Sequence, residues 1–331
     1  MFGKNKKTNM EAEIVAQTQV IPSMLDKYIN FDNGEVNIDL PPVVKRVIVV
    51  ASGSSYHCAR LTVDLIERLA KIETRAIYSS EFLIKSVIPH EENTLYIFIT
   101  QSGETSDTVK CLERVKKETN LPTLCITNVE DSTIWKECDY KVACMAGEEL
   151  GIAATKSLTS QMLCSVLIAL KLADGNDETI KGYKESLKEL PSAIEKAIAK
   201  RDDIKKFVKH FVKANIIMVT AEGSSYAIAK EATLKIKETS YKNITAAILG
   251  EFMHGHVAVL NNKGMFIYFS AEKISERAVN NINLIKKDYN PTIVLIGKSD
   301  ERVKPDYYLS VDCGDFIPCL FANVVMAQII A

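Results

Sequence analysis

The sequence predicts an α/β protein made of two doubly wound parallel-sheet subdomains that are related by internal duplication. The tetrapeptide Gly-Ser-Ser-Tyr occurs at 53–56 and again at 223–226. Each copy follows an apolar run and precedes a helical pattern. Alternation of strands and helices implies right-handed crossovers and a parallel sheet covered by helices on both faces. A fixed spacing between similar segments indicates a repeat.

The repeat extends well beyond the tetrapeptide, at nearly the same spacing. Three further matches pair Phe98-Ile99, Ser102 and Glu104 with Phe266-Ile267, Ser270 and Glu272; TLCITN at 123–128 with TIVLIG at 292–297; and Asp139-Tyr140 with Asp306-Tyr307. Chance does not readily produce so many matches in one order. The duplication therefore covers most of each subdomain.

Within the first copy, apolar runs bounded by turn residues predict strands, and helical periodicity predicts helices. The predicted strands are Val47–Ala51, Leu95–Thr100 and Thr123–Thr127, and the predicted helices are 55–70, 104–118 and 157–173. The chain is accordingly divided into an N-terminal helical arm packed on the outside (1–44), a first subdomain (45–180), a charged helical connector broken by Pro191 (181–213) and a second subdomain (214–331).

Composition excludes several classes of protein. With 41 basic and 42 acidic residues, the chain has no field that favours nucleic acid or a membrane surface. No apolar run reaches the ~20 residues that a bilayer requires, and the N-terminus lacks the apolar core of a secretory signal. The eight cysteines include no CxxC pair, which suits reduced thiols in a cytoplasm and not a zinc site.

Two loops predicted at the carboxyl ends of strands are rich in hydroxyl groups. They are Ser52-Gly53-Ser54-Ser55 and Thr100-Gln101-Ser102-Gly103-Glu104-Thr105. Ligands bind beyond the carboxyl ends of strands in open parallel sheets, and a helix N-terminus favours an anion. The two loops together predict a phosphate site. The alternative is that these residues are only helix caps. The sequence contains no GxxxxGK[ST] motif, which argues against a P-loop nucleotide site.

The second copy has fewer hydroxyl groups but gains titratable ones. Glu231, Lys235 and Glu238 are spaced so that they share one face of a helix that begins at the carboxyl edge of the sheet. A carboxylate beside an ammonium group can move protons between adjacent sugar carbons. An exposed, salt-bridged stripe is the alternative. His254, beside Gly255, is a candidate acid or base.

Two other interpretations of the His254 segment remain open. His254 and His256 could form a metal site with Glu251, or His254 could be a structural loop residue. We expect the protein to use no cofactor.

These motifs together resemble the sugar isomerase (SIS) domain family, which includes the isomerase half of glucosamine-6-phosphate synthase and stand-alone phosphosugar isomerases and deglycases. The resemblance extends from about Met10 to the end of the chain. The segments that carry it, besides the first phosphate loop and Asp107-Thr108, are Glu13-Ile14-x-x-Gln17, Gly151-x-Ala-Ala-Thr155-Lys156, Leu234-Lys235-x-Lys237-Glu238-x-Ser240-Tyr241 and Gly250-Glu251-x-x-His254-Gly255.

The resemblance implies a sugar 6-phosphate ligand and assigns a role to each matched residue. Glu238 would move the proton between C1 and C2 with Lys235 close by, and His254 would assist ring opening from the neighbouring subunit of a homodimer. The phosphate ligands would be Ser55, Thr100, Gln101, Ser102 and Thr105, and the sugar contacts would be Ser52, Gly53, Ile152 and Ala154.

Four departures from the family pattern narrow the expected function. Phe2 stands where the synthase has its glutaminase cysteine, so we expect no release of ammonia from glutamine by that route. Ala154 replaces a sugar-contacting serine, and His256 replaces a proline. The sequence ends at Ala331, inside a predicted helix, so the C-terminal tail with an active-site lysine that is usual in the family is either absent or not included.

We therefore expect a stand-alone phosphosugar isomerase or deglycase that acts on an amino-substituted hexose or ketosamine 6-phosphate. An amino-sugar-phosphate deaminase is a near variant of this function. The alternative is a non-catalytic sugar-phosphate sensor. A sensor would have no need of Glu238 or His254, and no basic helix-turn-helix pattern precedes residue 45.

Overall fold

The computed structural model describes residues 8–173 and 177–331, and the chain divides into two compact units. The N-terminal unit consists of Gln19–Leu150 and Lys156–Glu185, and the C-terminal unit consists of Met1–Thr18, Gly151–Thr155 and Ser186–Ala331. Residues 1–7 of the predicted arm, including Phe2, and residues 174–176 of the predicted first subdomain lie outside the described residues. The subdomain boundaries given by the sequence stay a prediction.

The α-helices are numbered in chain order. They are α1 Asn9–Tyr28, α2 Gly53–Leu69, α3 Ser79–Ile84, α4 Ser106–Glu118, α5 Thr133–Glu137, α6 Lys156–Leu172, α7 Glu178–Ser186, α8 Leu190–Ala199, α9 Arg201–Lys213, α10 Ser225–Ser240, α11 Leu249–Phe252, α12 Glu276–Tyr289 and α13 Phe316–Ile330. Short 3-10 helices occupy Leu187–Glu189 and His256–Val259.

The strands form a short antiparallel hairpin and two larger parallel sheets. They are β1 Ile29–Asn30, β2 Glu35–Val36, β3 Arg46–Ala51, β4 Glu73–Tyr78, β5 Thr94–Ile99, β6 Thr123–Thr127, β7 Tyr140–Ala143, β8 Ile217–Ala221, β9 Ile244–Ile248, β10 Met265–Ser270, β11 Thr292–Gly297 and β12 Tyr307–Leu309.

The sheet of the N-terminal unit has the strand order β4-β3-β5-β6-β7 and is parallel throughout. Its central strands are apolar and buried along nearly their whole length, as expected for a sheet covered on both faces. One face packs on α3, α4 and α5 through a cluster that includes Ile48, Phe82, Phe98, Leu112 and Ile134. Helices α2 and α6 pack against each other, and α2 contacts β3, β4 and β5.

The sheet of the C-terminal unit has the equivalent order, β9-β8-β10-β11-β12, and is also parallel. One face packs on α11 and α12 through a cluster that includes Met218, Phe252, Phe266, Ile282 and Leu295. Helices α10 and α13 contact this sheet as well as each other. The predicted fold class, two doubly wound α/β subdomains related by duplication, is therefore confirmed.

One pair of matched residues performs the same structural task in both units. The Asp139 carboxylate accepts hydrogen bonds from the backbone N–H of Thr123 at 2.9 Å and from its hydroxyl at 2.8 Å. The Asp306 carboxylate accepts one from the backbone N–H of Ile293 at 2.7 Å and pairs with Lys286. In each case the aspartate before the last strand secures the first residues of the neighbouring strand. The duplication thus preserves contacts as well as topology.

Helix α1 forms where the sequence predicts a helix, and one of its faces is buried. Gln17, Ile21 and Met24 are fully buried. Their spacing of three and four residues places them on one face of the helix, and that face is enclosed. The predicted connector is also helical, and it is interrupted at Leu187–Glu189 and at Lys200. Pro191 stands in the first turn of α8, where a missing N–H costs nothing.

In the part of the chain that the structure describes, no helix is both long and apolar enough to span a bilayer. All eight cysteines are free and buried. Burial raises the pKa of the Cys111 thiol to about 12, so this thiol stays protonated near neutral pH.

We predict that Asp139→Ala and Asp306→Ala each lower the free energy of unfolding by about 1 kcal/mol, because a strand N–H loses its acceptor. Urea denaturation followed by circular dichroism measures the change. Asp288→Ala, which removes an exposed carboxylate from α12, serves as the control and should match the parent. Unchanged stability in both test variants would contradict the proposed equivalence of the two aspartates.

Candidate functional site

The carboxyl ends of β3 and β5 bring the two predicted phosphate loops side by side. The strands pair in register up to Ala51 and Ile99, and each chain then turns into a helix. The chain runs outward from β3 to β4 on one side and from β5 to β6 on the other, so the strand order reverses here. This reversal is the point at which open α/β sheets bind ligands.

The loop Thr100–Thr105 is held by its own hydroxyl groups. Thr100 is buried, and its Oγ1 lies 2.9 Å from Thr105 Oγ1 and accepts a hydrogen bond from the Gly103 N–H at 3.3 Å. Ser102 Oγ accepts from the Glu104 N–H at 3.1 Å. These contacts fix the loop before any ligand arrives.

Gly103 is required at its position in this loop. Its φ is +69°, and a Cβ atom there would lie 2.0 Å from Ser132 Oγ. Gly53, at the start of α2, also has a positive φ of +57°, but the space beside it is open. Gly103 therefore leaves room for the Ser132 side chain, whereas Gly53 leaves the N-terminus of α2 accessible.

The helix-cap interpretation does not account for these loops. Ser52 and Thr105 occupy the N-cap positions of α2 and α4, and neither side chain accepts a hydrogen bond from its own helix. By contrast, the Ser132 and Ser275 hydroxyls both cap their helices, α5 and α12. The hydroxyl groups of the predicted phosphate loops thus flank two helix N-termini without capping them, an arrangement that favours an anion.

The corresponding position in the C-terminal unit has a different chemistry. Glu222 stands before Gly223 where Ser52 stands before Gly53, and its carboxylate accepts from the Ser275 hydroxyl at 2.7 Å and pairs with Arg277 at 3.0 Å. The second copy also has Phe269-Ser270-Ala271-Glu272-Lys273 in place of the hydroxyl-rich loop after β5. Glu222 is not among the predicted site residues, although the alignment of the two copies places it opposite Ser52.

The side chains on α10 form an ion-pair cluster in the C-terminal unit. Lys235 Nζ lies 2.7 Å from Glu238 Oε2 and 3.4 Å from Glu231 Oε1. The Lys235 and Glu231 side chains are only 1% and 2% exposed, whereas Glu238 is 31% exposed. An exposed, salt-bridged stripe is therefore the wrong interpretation of this spacing.

Glu238 lies far along α10 from the carboxyl edge of the sheet, where the helix begins. The helix begins at the carboxyl edge of the sheet, but Glu238 lies in its last turn, ~20 Å further along the axis at 1.5 Å per residue. Helix periodicity predicts which residues share a face, but it does not specify which part of that face meets a ligand.

His254 lies in an exposed turn between α11 and the following 3-10 helix. Its N–H donates to the Glu251 carbonyl at 3.0 Å, and Gly255, with φ of +131°, completes the turn. His256 is also exposed. Among the described residues, no three His, Cys, Asp or Glu side chains are grouped as a metal ion requires, so the metal interpretation of this segment has no support.

The remaining predicted residues lie in the two units as follows. Ser55 is buried in the first turn of α2, and Gln101 and Ser102 are partly exposed in the N-terminal unit. In the C-terminal unit, Ile152 is 99% exposed and Ala154 is partly exposed. The N-terminal unit thus contains all five predicted phosphate ligands together with Ser52 and Gly53. The C-terminal unit contains the other predicted residues, which are Ile152, Ala154, Lys235, Glu238 and His254.

One aromatic contact beside the first loop could not be predicted from the sequence. The rings of Tyr56 and Tyr78 stack with centroids 3.4 Å apart, and Tyr78 ends β4 opposite Ala51. Burial raises the pKa of the Tyr56 hydroxyl. Only the repeat of Tyr56 within the duplicated tetrapeptide pointed to this position.

Comparisons with known proteins agree with this architecture. The SIS domain family matches residues 43–171 and 210–306. The glutamine–fructose-6-phosphate aminotransferase (isomerizing) of Legionella pneumophila is 33% identical over 258 residues, which cover 76% of this chain and 42% of that protein. The chain spans less than half the length of the curated relatives it matches.

Two solved structures illustrate the similarity in fold. The C-terminal domain of glucosamine-fructose-6-phosphate aminotransferase from Francisella tularensis superposes with a TM-score of 0.91 at 25% identity, covering 98% of this chain and 94% of that one. Tagatose-6-phosphate ketose/aldose isomerase from Escherichia coli gives 0.78 at 17% identity, covering 98% and 91%. Because the family matches both copies of the duplication and most of the chain, this protein belongs to the SIS domain family.

Proposed function

We propose that this chain is a phosphosugar isomerase or deglycase that acts on an amino-substituted hexose 6-phosphate or ketosamine 6-phosphate. The observation that carries the proposal is the buried Lys235 ammonium group, paired at 2.7 Å with the partly exposed Glu238 carboxylate. Burying a charge is costly unless the charge is paired. A fold has little reason to retain such a cluster for stability alone, so it favours a role in chemistry.

Phosphate binding is assigned to the loops that follow β3 and β5. The hydroxyls of Ser55, Thr100, Ser102 and Thr105, with the Gln101 amide, would donate to a phosphate dianion at the N-termini of α2 and α4. Both helices are long enough for their backbone dipoles to favour an anion. Ser52, Gly53, Ile152 and Ala154 would contact the sugar. The similarity to proteins named for fructose and tagatose 6-phosphates supports this substrate class.

Proton transfer is assigned to Glu238. After His254 assists ring opening, the Glu238 carboxylate would take a proton from C1 of the open-chain ketose, and an enediol or enaminol would form. Return of that proton to C2 leaves an aldehyde at C1, or an imine when nitrogen is attached. Water then hydrolyses the imine to release the amine, which completes a deglycase reaction. Lys235 would hold the carboxylate in place.

Several finer features belong to the same proposal. His254 would act from the partner copy of a homodimer, which suits its exposed turn. The eight free cysteines favour a reducing compartment such as the cytoplasm.

A deaminase variant would use the same residues, and a non-catalytic sensor would bind the sugar phosphate without proton transfer.

We predict that Glu238→Gln lowers the rate at which the C1 hydrogens of a ketose or ketosamine 6-phosphate exchange with solvent by about 10²- to 10⁴-fold, because the proton acceptor is lost. Proton NMR of fructose 6-phosphate and of a ketosamine 6-phosphate in D2O measures the exchange. Binding of the sugar phosphate should remain close to that of the parent. Glu195→Gln, at an exposed position on α8, is the matched control. Exchange at the parental rate in Glu238→Gln would remove the catalytic assignment, whereas a parent that binds without exchange would identify a sensor.

We predict that Ser102→Ala weakens binding of glucose 6-phosphate by about tenfold, because a hydrogen bond to a charged group is lost. Isothermal titration calorimetry measures the dissociation constant. The matched control is Ser270→Ala, the equivalent position in the second copy, and it should bind like the parent. Equal losses in the two variants would contradict the assignment of the phosphate to the first copy.

We predict that Ser52→Glu abolishes binding of sugar phosphates, since it gives the first copy the carboxylate that Glu222 supplies in the second. The added negative charge would occupy the N-terminus of α2 and repel the ligand. Calorimetry with glucose 6-phosphate tests this, and Ser52→Gln controls for side-chain size. If the glutamate and glutamine variants bind equally well, charge at this position does not govern the site.

A further inference from the structure

Helix α1 carries two buried polar side chains that the proposed reaction does not use. Glu13 is 6% exposed and Gln17 is 0% exposed. Burial of a carboxylate or an amide costs free energy unless hydrogen bonds replace its contacts with water. The partners of these side chains therefore indicate what they contribute to the protein.

Both side chains act on one short segment, Gly151–Thr155, in the C-terminal unit. Glu13 Oε1 accepts a hydrogen bond from the Gly151 N–H at 3.0 Å. Gln17 Nε2 donates to Gln328 Oε1 at 2.8 Å, and Gln328 Nε2 donates to the Thr155 carbonyl at 3.1 Å. One helix thus secures the first residue of the segment directly and the last residue through a single buried amide.

The contact at Gly151 is close enough to depend on the glycine. A Cβ atom at this position would lie 2.5 Å from Glu13 Oε2, so any larger residue would displace the carboxylate or the segment. Two residues further along, Ala153 is 5% exposed and anchors the middle of the segment. The backbone is therefore fixed at its beginning, middle and end.

This fixed backbone presents an apolar side chain to solvent. Ile152 is 99% exposed, so it contributes almost no burial to the stability of the fold. A segment that is secured at both ends by buried polar groups is a rigid support for whatever Ile152 and Ala154 contact.

We propose that Glu13 and Gln17 are positioning residues that set the backbone of Gly151–Thr155 and, through it, the contacts of Ile152 and Ala154 with the sugar. The inference rests on the proposed function, in which those two residues meet the sugar. Glu13 itself touches no substrate. Loss of its hydrogen bond would weaken recognition of the sugar and leave recognition of the phosphate group unchanged.

The experiment compares two ligands by calorimetry, glucose 6-phosphate and inorganic phosphate. Glu13→Ala should weaken glucose 6-phosphate binding by about tenfold or more, because a displaced contact segment no longer fits the sugar. Inorganic phosphate should bind as it does to the parent. Glu13→Gln should rescue sugar binding, since its amide oxygen still accepts from Gly151. Glu11→Ala, which removes a carboxylate from the same helix, is the control.

A second variant keeps the proposal testable if Glu13→Ala fails to fold. Gly151→Ala leaves Glu13 in place but crowds it, and it should produce the same selective loss. If the parent binds glucose 6-phosphate and both variants bind it equally well, or lose both ligands to the same extent, the positioning role is overturned and the proposed function survives. A parent that binds neither ligand would overturn the proposed function and this inference with it.

Discussion

The parallel register of β3 and β5 is the constraint on which the candidate phosphate site depends. Because Ala51 and Ile99 are paired at the ends of their strands, the two following loops leave the sheet from the same edge. A slip of one residue would turn every side chain of a strand to the opposite face, and close packing of side chains of different sizes opposes such a slip. The packing of the core thus sets the distance between the two groups of hydroxyls.

Burial divides the roles of the charged residues on α10. Lys235 is enclosed and must remain paired, because an isolated ammonium group in the interior is strongly disfavoured. Glu231 is enclosed beside it, whereas Glu238 reaches the surface. Two carboxylates therefore share one cation, and only the outer carboxylate is accessible to a ligand. This asymmetry distinguishes Glu238 from Glu231, which spacing alone cannot do.

Sequence patterns predicted the fold closely because they report on burial. The strands at 47–51, 95–100 and 123–127 and the helices at 55–70, 104–118 and 157–173 agree with the structure to within two residues at each end. Periodicity also placed the three charged residues of α10 on one face. It could not predict that this face is enclosed, since burial depends on which elements pack against it.

The contacts that link distant segments were beyond the reach of sequence reasoning. Nothing in the spacing of Glu13 and Gly151 indicates that a carboxylate on the first helix accepts a hydrogen bond from a loop 138 residues later. The segment Glu13-Ile14-x-x-Gln17 matches the family pattern, but the hydrogen bond between Glu13 and Gly151 is seen only in the three-dimensional structure. Local patterns therefore predict elements, whereas the geometry of a site depends on the chain's long-range packing.

The two copies share a backbone arrangement at the start of a helix but differ in the side chain beside it. Each copy has a glycine with positive φ where a helix begins: Gly53 is the first residue of α2, and Gly223 lies two residues before α10. Such a position favours one negative charge, and either the protein or a ligand can supply it. In the second copy the residue before the glycine is Glu222, whose carboxylate accepts from the Ser275 hydroxyl and pairs with Arg277 at the start of α12. In the first copy the equivalent residue, Ser52, carries no charge. A difference at the single position before the glycine therefore changes the charge near the helix N-terminus, which supports the proposal that the phosphate binds in the first copy.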